Sequence, residues 1–284
     1  MSPSVLHAST APSRPYLAFF RAGNRSLHPR QLQQDPHRNW DCCVSWYTPP
    51  VPGPPVEYSC EGGDNKLEGF LEFRKLVDAR LPYRQVLLID DDICFRPGDI
   101  SRYFELCERH QLYLSQPALY WSTHYNLNVT LANPACIVRR VSFIEIMAPC
   151  LSAAALGDLI DTFDATRSTW GVDFIWCGRA YGKKPVHVVD AIRIEHTKPM
   201  DKQGGAFYRK MKAQGVDPAA ELAAARAAYP ALRRMRTERD GHVYVPGLPG
   251  WLCRPALLMF EKLKFLARQR KKVVRWVHSR RNRG

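Results

Sequence analysis

The chain lacks the features that would mark it as a membrane-spanning, secreted or zinc-finger protein. None of its 284 residues lies in a run approaching the roughly 18 apolar residues that cross a bilayer, and the first twenty contain no apolar core of the signal-peptide type. Its nine cysteines include no Cys-x-x-Cys pair, which disfavours a zinc site, and their odd number disfavours a disulfide framework. No internal repeat is present. These absences predict a cytoplasmic protein whose thiols are free and mostly buried.

The positive charge is concentrated at the C-terminus. The formal net charge is +14, yet residues 254–284 hold eleven lysines and arginines against the single acid Glu261, so the remainder is only mildly basic. Within residues 255–278, apolar side chains recur on one helical face among these cations, which is typical of peripheral attachment to an anionic membrane surface. A solvated terminal helix is the alternative. Nucleic acid is the least favoured partner, because stacking aromatics are not interleaved with the charges.

Short apolar segments alternate with helical ones along the first 200 residues. This alternation predicts an α/β fold with a mixed, mostly parallel sheet flanked by helices and a C-terminal helical extension. We expect strands at about 16–21, 41–46, 86–89, 136–141, 143–147 and 186–190, and helices at about 67–80, 99–110, 152–164, 170–180 and 218–229. The predicted division is a disordered N-terminus (1–14), a catalytic domain (15–200), a helical extension (201–253) and a basic amphipathic helix (254–284).

The most informative segment is a short apolar strand that ends in Asp90, Asp91 and Asp92. Three adjacent carboxylates repel one another and raise each other's pKa values unless a cation lies among them. Mg²⁺ or Mn²⁺ takes carboxylate oxygens and keeps coordination positions open for phosphates. At the carboxyl edge of a sheet, such a group is typical of a nucleotide-diphosphate site. The alternative is a solvated turn whose acids cap the next element, a frequent outcome for a lone Asp-x-Asp.

Three further polar residues fall in apolar surroundings. Asp173 lies between aromatic residues at a predicted helix start, where desolvation in a cleft would raise its pKa towards that of a general base. The alternative is an acid stabilised by the helix macrodipole. His196 follows the last predicted strand and is either a third metal ligand or a polar residue satisfied within the fold. Glu145 interrupts an apolar run, so it lies at a strand edge or is paired inside a site.

Taken in order, these motifs resemble those of the GT-A nucleotide-sugar glycosyltransferases. Their residue sequences resemble the domain-of-unknown-function 707 family, a relative of that group. The matching segments are 16–20, 26–28, 69–70, 87–93, 143–149, 170–174 and 188–196. The resemblance implies a GT-A-like fold and a nucleotide-sugar donor linked to UDP or GDP. It also implies transfer of the sugar to a glycan or lipid-linked acceptor, as in the synthesis of cell-envelope polysaccharides.

The resemblance implies a role for each candidate at the donor. Asp90, Asp92 and His196 would bind Mn²⁺ or Mg²⁺, Asp90 would also lie near the ribose, and Asp91 would support the nucleotide site. Two cationic residues would contact the nucleotide, namely Arg21 and Lys66.

For the acceptor side, the resemblance implies a second set of roles. Asp173 would take the proton from the acceptor hydroxyl if the enzyme inverts the anomeric centre. Glu145 and Trp170 would form the sugar or acceptor subsite, because an aromatic ring suits the apolar face of a sugar.

Two other functions share parts of this pattern. Phosphohydrolases of the haloacid-dehalogenase type also place Asp-x-Asp after an apolar strand, and Asp90 would then be the nucleophile. That chemistry normally has Thr or Val soon after the second acid, whereas Ile93 follows here, which disfavours it. A catalytically inactive, membrane-associated scaffold is the other alternative, and the intact candidate acids argue against it.

Overall fold

The computed structural model describes residues 4–9, 14–76, 82–199 and 206–281, and their side chains except those of 76, 206–207 and 267–281. The strands are β1 (Ser4–Ala8), β2 (Tyr16–Ala22), β3 (Trp40–Trp46), β4 (Tyr58–Glu61), β5 (Gln85–Ile89), β6 (Ile93–Cys94), β7 (Leu114–Leu119), β8 (Cys136–Val141), β9 (Cys150–Ser152), β10 (Val186–His196) and β11 (Val243–Tyr244). The helices are α1 (His28–Gln33), α2 (Lys66–Leu76), α3 (Asp99–Arg109), α4 (Ala153–Leu159), α5 (Val172–Ala180), α6 (Ala206–Ala213), α7 (Pro218–Ala228) and α8 (Gly250–Arg281).

The strands form one mixed sheet in the order β1-β4-β3-β2-β5-β9-β7-β10-β8-β11, with the short β6 paired to β10. Pairing is parallel through β4-β3-β2-β5 and between β7 and β10, and antiparallel at the other junctions. The intervening β9 is antiparallel to both β5 and β7, so β7 and β10 run in the same direction as β5. Six strands therefore end at one edge, which we call the carboxyl edge.

Helices cover both faces of the sheet, as the alternation of segments predicts. Strands β2, β3 and β5 are buried along their whole length, which is the pattern of strands packed on two sides. One core contains apolar side chains of α2, α4 and α5, and the other contains those of α1 and α3. The predicted α/β class, the flanking helices and the C-terminal helix are thus confirmed.

Three local predictions are wrong. The sequence predicts a disordered N-terminus, but Ser4–Ala8 form β1, which pairs with β4; residues 1–3 and 10–13 lie outside the described part. The expected strand at 143–147 is a buried loop, so its apolar run reflects burial and not sheet pairing. The extension over 201–253 is not helical throughout, because β11 joins the sheet beside β8.

The C-terminal helix is docked on the body along its first half. Leu257 and Lys264 are buried, and Lys264 binds Glu261, which also binds the buried Arg139. Arg139 in turn forms a two-bond ion pair with Asp190 in β10. In the described part of the chain, no helix combines the length and apolar character needed to span a bilayer.

Candidate active site

The carboxyl edge carries the aspartate triplet directly after β5. The backbone pins the triplet to neighbouring segments, because Leu27 N–H donates to the Asp91 carbonyl and Thr197 N–H donates to the Asp92 carbonyl, each at 3.0 Å. The two-residue β6 follows and pairs antiparallel with the last residues of β10, placing Ile93 opposite His196. This pairing brings the end of β10 to the triplet.

Each carboxylate of the triplet has its own partner within the protein. Lys66 Nζ lies 2.8 Å from Asp90 Oδ1, and Lys198 Nζ lies 3.2 Å from Asp91 Oδ1. The third contact joins His196 Nε2 to Asp92 Oδ2 at 3.4 Å. Two lysines and an imidazole therefore reduce the repulsion that adjacent carboxylates would otherwise experience.

The predicted three-ligand metal centre is not assembled. Over the residues that the structure describes, no group of three or more His, Cys, Asp or Glu is placed to hold a metal ion. Asp92 and His196 meet as predicted, but Asp90 is engaged by the ammonium group of Lys66. The residues therefore do not fit a metal ion in this arrangement, and we assign no chemical step to one.

His196 is positioned by Thr123 as well as by Asp92. The His196 backbone N–H donates to Thr123 Oγ1 at 2.7 Å, and that hydroxyl donates to the His196 carbonyl at 2.9 Å. Burial alone would lower the pKa of His196, but the hydrogen bond and charge of Asp92 raise it above the ordinary value. Burial alone would raise the pKa of Asp92, but His196 and Lys198 hold it below the ordinary value. The contact thus favours the charged forms of both groups.

Glu145 is buried and paired, as its position in an apolar run requires. Its Oε1 accepts a 2.7 Å hydrogen bond from Thr130 Oγ1, and its backbone N–H donates to Gln116 Oε1. Burial raises the pKa of Glu145, against the opposing effects of the hydrogen bonds from Thr130 and Asn126 and of the nearby charge of His196. Glu145 is therefore paired inside the fold, in the buried loop that follows β8, and does not lie on a strand edge.

Asp173 has the protonation behaviour expected of a general base. It lies in the first turn of α5, which begins after Gly171. A side chain at position 171 is disfavoured, because φ there is +88° and an added Cβ would lie 2.6 Å from the Ala225 Cβ. Burial, followed by the charge of Glu145, raises the pKa of Asp173 to about 7. The Phe174 N–H and the helix terminus favour the charged form, but burial outweighs them.

Trp170 lies immediately before this helix and is partly exposed. Its ring packs edge-on against Tyr208 of α6, with the ring centroids 5.4 Å apart. Its backbone N–H donates to Ser168 Oγ. The structure thus holds Trp170 against α6, while its role as a sugar platform stays a prediction.

The two predicted nucleotide-binding cations serve the scaffold instead. Lys66 is buried, and besides Asp90 its ammonium group donates to the Ile146 carbonyl at 2.5 Å and the Met147 carbonyl at 3.3 Å. Burial lowers its pKa, and the Asp90 charge offsets that in part. The three acceptors leave the ammonium group no free donor for a nucleotide.

Arg21 is likewise buried, and its guanidinium donates to Ser45 Oγ, the Gly62 carbonyl and the Gly63 carbonyl at 2.6–2.7 Å. Burial lowers its pKa. Arg21 therefore holds the loop between β4 and α2.

Tyr47 was missed by the sequence analysis. It follows β3, and its hydroxyl donates a 2.5 Å hydrogen bond to Asp91 Oδ2. The ring occupies space left by Gly23, because a Cβ added there would lie 2.5 Å from the Tyr47 hydroxyl oxygen. Lys198, half exposed beside Asp91, was also missed. An aromatic after one strand and a lysine after another are too common to mark a site without the fold.

A shallow cavity lies at the opposite edge of the sheet. Its volume is about 200 Å³, and its lining includes Arg140, Tyr181 and Val186. Val186 begins β10 and His196 ends it, so the two sites are separated by roughly 30 Å at about 3.3 Å per residue. This cavity carries none of the candidate acids.

Comparison with known proteins gives the chain no family. No family model matches it, and no curated protein does. Among solved structures, it is similar to S. aureus TarS in complex with UDP-GlcNAc, with a TM-score of 0.43 and 8% sequence identity over 75% of this chain and 73% of that chain. The resemblance to the domain-of-unknown-function 707 family thus has no support from a family model. At this level of similarity, function must be inferred from the residues of this chain.

Proposed function

We propose that the protein is a glycosyltransferase that uses a nucleotide-sugar donor and a glycan or lipid-linked acceptor. The donor diphosphate binds at the aspartate triplet on the carboxyl edge, and Asp173 is the general base. The observation that carries the proposal is a row of interacting titratable groups. Asp92 contacts His196, the charge of His196 acts on Glu145, and the charge of Glu145 acts on Asp173.

The groups at the two ends of this row of titratable residues would have different chemical roles. At the strand end, an aspartate triplet after a parallel strand is the position where nucleotide phosphates bind in open α/β sheets. At the helix end, a carboxyl with a pKa near 7 exchanges a proton readily at neutral pH, which suits a general base. Perturbed acids gathered at one edge are a functional-site signature.

In an inverting transfer, Asp173 would take the proton from the acceptor hydroxyl as the acceptor oxygen bonds to the anomeric carbon. The bond between that carbon and the phosphate oxygen breaks, and the nucleoside diphosphate leaves with the electron pair. His196 and Lys198 are the cationic groups of this edge that would oppose the charge developing on the leaving group.

The charge at the triplet sets the conditions of the test. Three carboxylates face two ammonium groups and one imidazole, so the group is close to neutral when His196 is protonated. A donor diphosphate adds negative charge to this group. Binding is therefore measured separately with Mn²⁺, with Mg²⁺ and with EDTA.

The experiment is a thermal-shift and calorimetric titration with UDP, GDP, CDP and their sugars. A ligand at a hundred times its Kd stabilises the fold by about 2.7 kcal/mol, so we expect a clear shift with one nucleotide class. Asp92→Asn should abolish the shift. Asp240→Asn, at an 85% exposed side chain beside Arg140, is the matched control and should retain it.

Two results would reject the proposal. The first is that no nucleotide binds under any of the three cation conditions. The second is that the protein releases phosphate from phosphomonoesters in a reaction abolished by Asp90→Asn, which would instead establish the phosphohydrolase alternative.

A further inference from the structure

The first half of α8 packs one apolar side on the body, at Leu257, and exposes a second apolar face to solvent. Trp251, Leu258 and Phe265 recur at intervals of seven residues, so they lie on one side of the helix. Their exposed fractions are 78%, 48% and 58%, and the neighbouring Met259 and Leu266 are also exposed. Large apolar side chains gathered in this way mark an interaction surface. We call these five residues the α8 outer face.

The α8 outer face cannot turn inward, because the other side of the helix is anchored. Glu261 Oε1 accepts hydrogen bonds from Lys264 Nζ at 2.7 Å and from the buried amide of Asn133 at 2.9 Å. The Asn128 amide also donates to the Lys264 carbonyl. Rotating the helix to bury the outer face would leave these charged and polar groups without partners.

The same helix continues from the α8 outer face into a strongly basic segment. Residues 267–281 contain seven lysines and arginines and no acid, and the backbone stays helical to Arg281. An apolar face continuous with a run of cations complements a surface that offers both hydrocarbon and negative charge. An anionic bilayer has that chemistry, whereas nucleic acid has no hydrocarbon for the apolar face.

We propose that α8 docks the protein on an anionic lipid bilayer, with the α8 outer face at the acyl boundary and the basic segment at the headgroups. The docking does not depend on the proposed transferase activity. It would also bring the candidate site close to lipid, because Asn128 binds α8 while Thr130, two residues later, binds Glu145. If the proposed function holds, a lipid-linked acceptor fits this arrangement.

The test is co-sedimentation of the full chain with vesicles of neutral phosphatidylcholine, or of phosphatidylcholine with 30 mol% phosphatidylglycerol. We expect binding to the anionic vesicles that is at least tenfold tighter than to neutral ones and that weakens with salt. The triple variant Trp251→Ser/Leu258→Ser/Phe265→Ser should lose at least tenfold in affinity. Val51→Ser/Tyr181→Ser removes two exposed apolar side chains elsewhere and should bind as the unchanged protein does.

A second variant tests the charge. Five cations of the basic segment are replaced by glutamine, at Arg268, Arg270, Lys271, Lys272 and Arg275. At about 1 kcal/mol per cation, affinity for anionic vesicles should fall at least a hundredfold. Thermal melts check that each variant is folded, and the single variant Phe265→Ser replaces the triple one if the latter melts early.

The proposal is overturned if the unchanged protein does not bind anionic vesicles, or if the α8 outer-face variants bind as it does. It is equally overturned if the chain binds RNA or DNA while ignoring both vesicle types. Each of these results is separate from the nucleotide titration, so a failure of docking is distinguishable from a failure of the proposed function.

Discussion

Replacing Asp173 by asparagine separates its roles in catalysis and stability. The asparagine keeps the shape of the side chain and an oxygen that can accept the Phe174 N–H hydrogen bond. It cannot accept a proton from an acceptor hydroxyl. Loss of a general base typically lowers turnover by about 10²–10⁴-fold, so we expect that loss in kcat with little change in donor affinity.

The same substitution should stabilise the fold at alkaline pH. The pKa of Asp173 is about 7 in the folded protein, against roughly 3.9 in an unfolded chain. Three pKa units at about 1.4 kcal/mol each set a ceiling near 4 kcal/mol, which partial exposure of the side chain reduces to about 1–2 kcal/mol. Because the folded pKa is raised, the penalty for ionisation is absent below about pH 4, grows as pH rises and is complete above pH 7.

Urea unfolding at pH 8 and pH 5 measures this difference. Asp173→Asn should unfold at higher urea than the unchanged protein at pH 8, with a smaller gain at pH 5. Asp164→Asn alters an exposed acid that follows the core residue Phe163 and should show neither effect. A stability change that is the same at both pH values would exclude a raised pKa of Asp173, and a turnover that survives the substitution would exclude Asp173 as the general base.

Two further substitutions test the scaffold around the site. Gly23→Ala should displace the ring of Tyr47 and lower nucleotide-sugar affinity by about tenfold, which corresponds to the loss of roughly one hydrogen bond. The control Gly53→Ala, whose added Cβ meets no atom within 4 Å, should leave the affinity unchanged. Calorimetry that finds both variants equal to the parent would contradict this prediction. Arg139→Met should cost about 3–5 kcal/mol in urea unfolding, because it leaves the buried Asp190 without a counter-charge. Adding Asp190→Leu should recover part of that loss, and a cost below 1 kcal/mol for the single variant would contradict this prediction.

Much of the sheet could be predicted because its central strands are short, apolar and bounded by turns. The segments expected at about 16–21, 41–46 and 86–89 are β2, β3 and β5, with every end within one residue. The loop at 143–147 could not be distinguished from a strand, since burial makes both apolar. The strand at Ser4–Ala8 could not be predicted from its own residues either, because the formation of an edge strand depends on the strand that it pairs with.

The candidate site shows a similar division. His196 and Asp92 could be brought together from the order of strands, because the carboxyl ends of parallel strands share an edge. Lys66 could not be placed beside Asp90, since that contact depends on where α2 packs. Repulsion within the triplet predicted a metal ion, and among the described residues the fold places the ammonium group of Lys66 against Asp90.

Hydrogen–deuterium exchange with the tightest-binding nucleotide sugar would show where on the sheet the ligand binds. We expect protection of residues 86–94 and 194–199 at the carboxyl edge, and loss of that protection in Asp92→Asn. Protection confined to residues 181–186, at the cavity on the opposite edge, would contradict it, as would the absence of any protection from any nucleotide sugar.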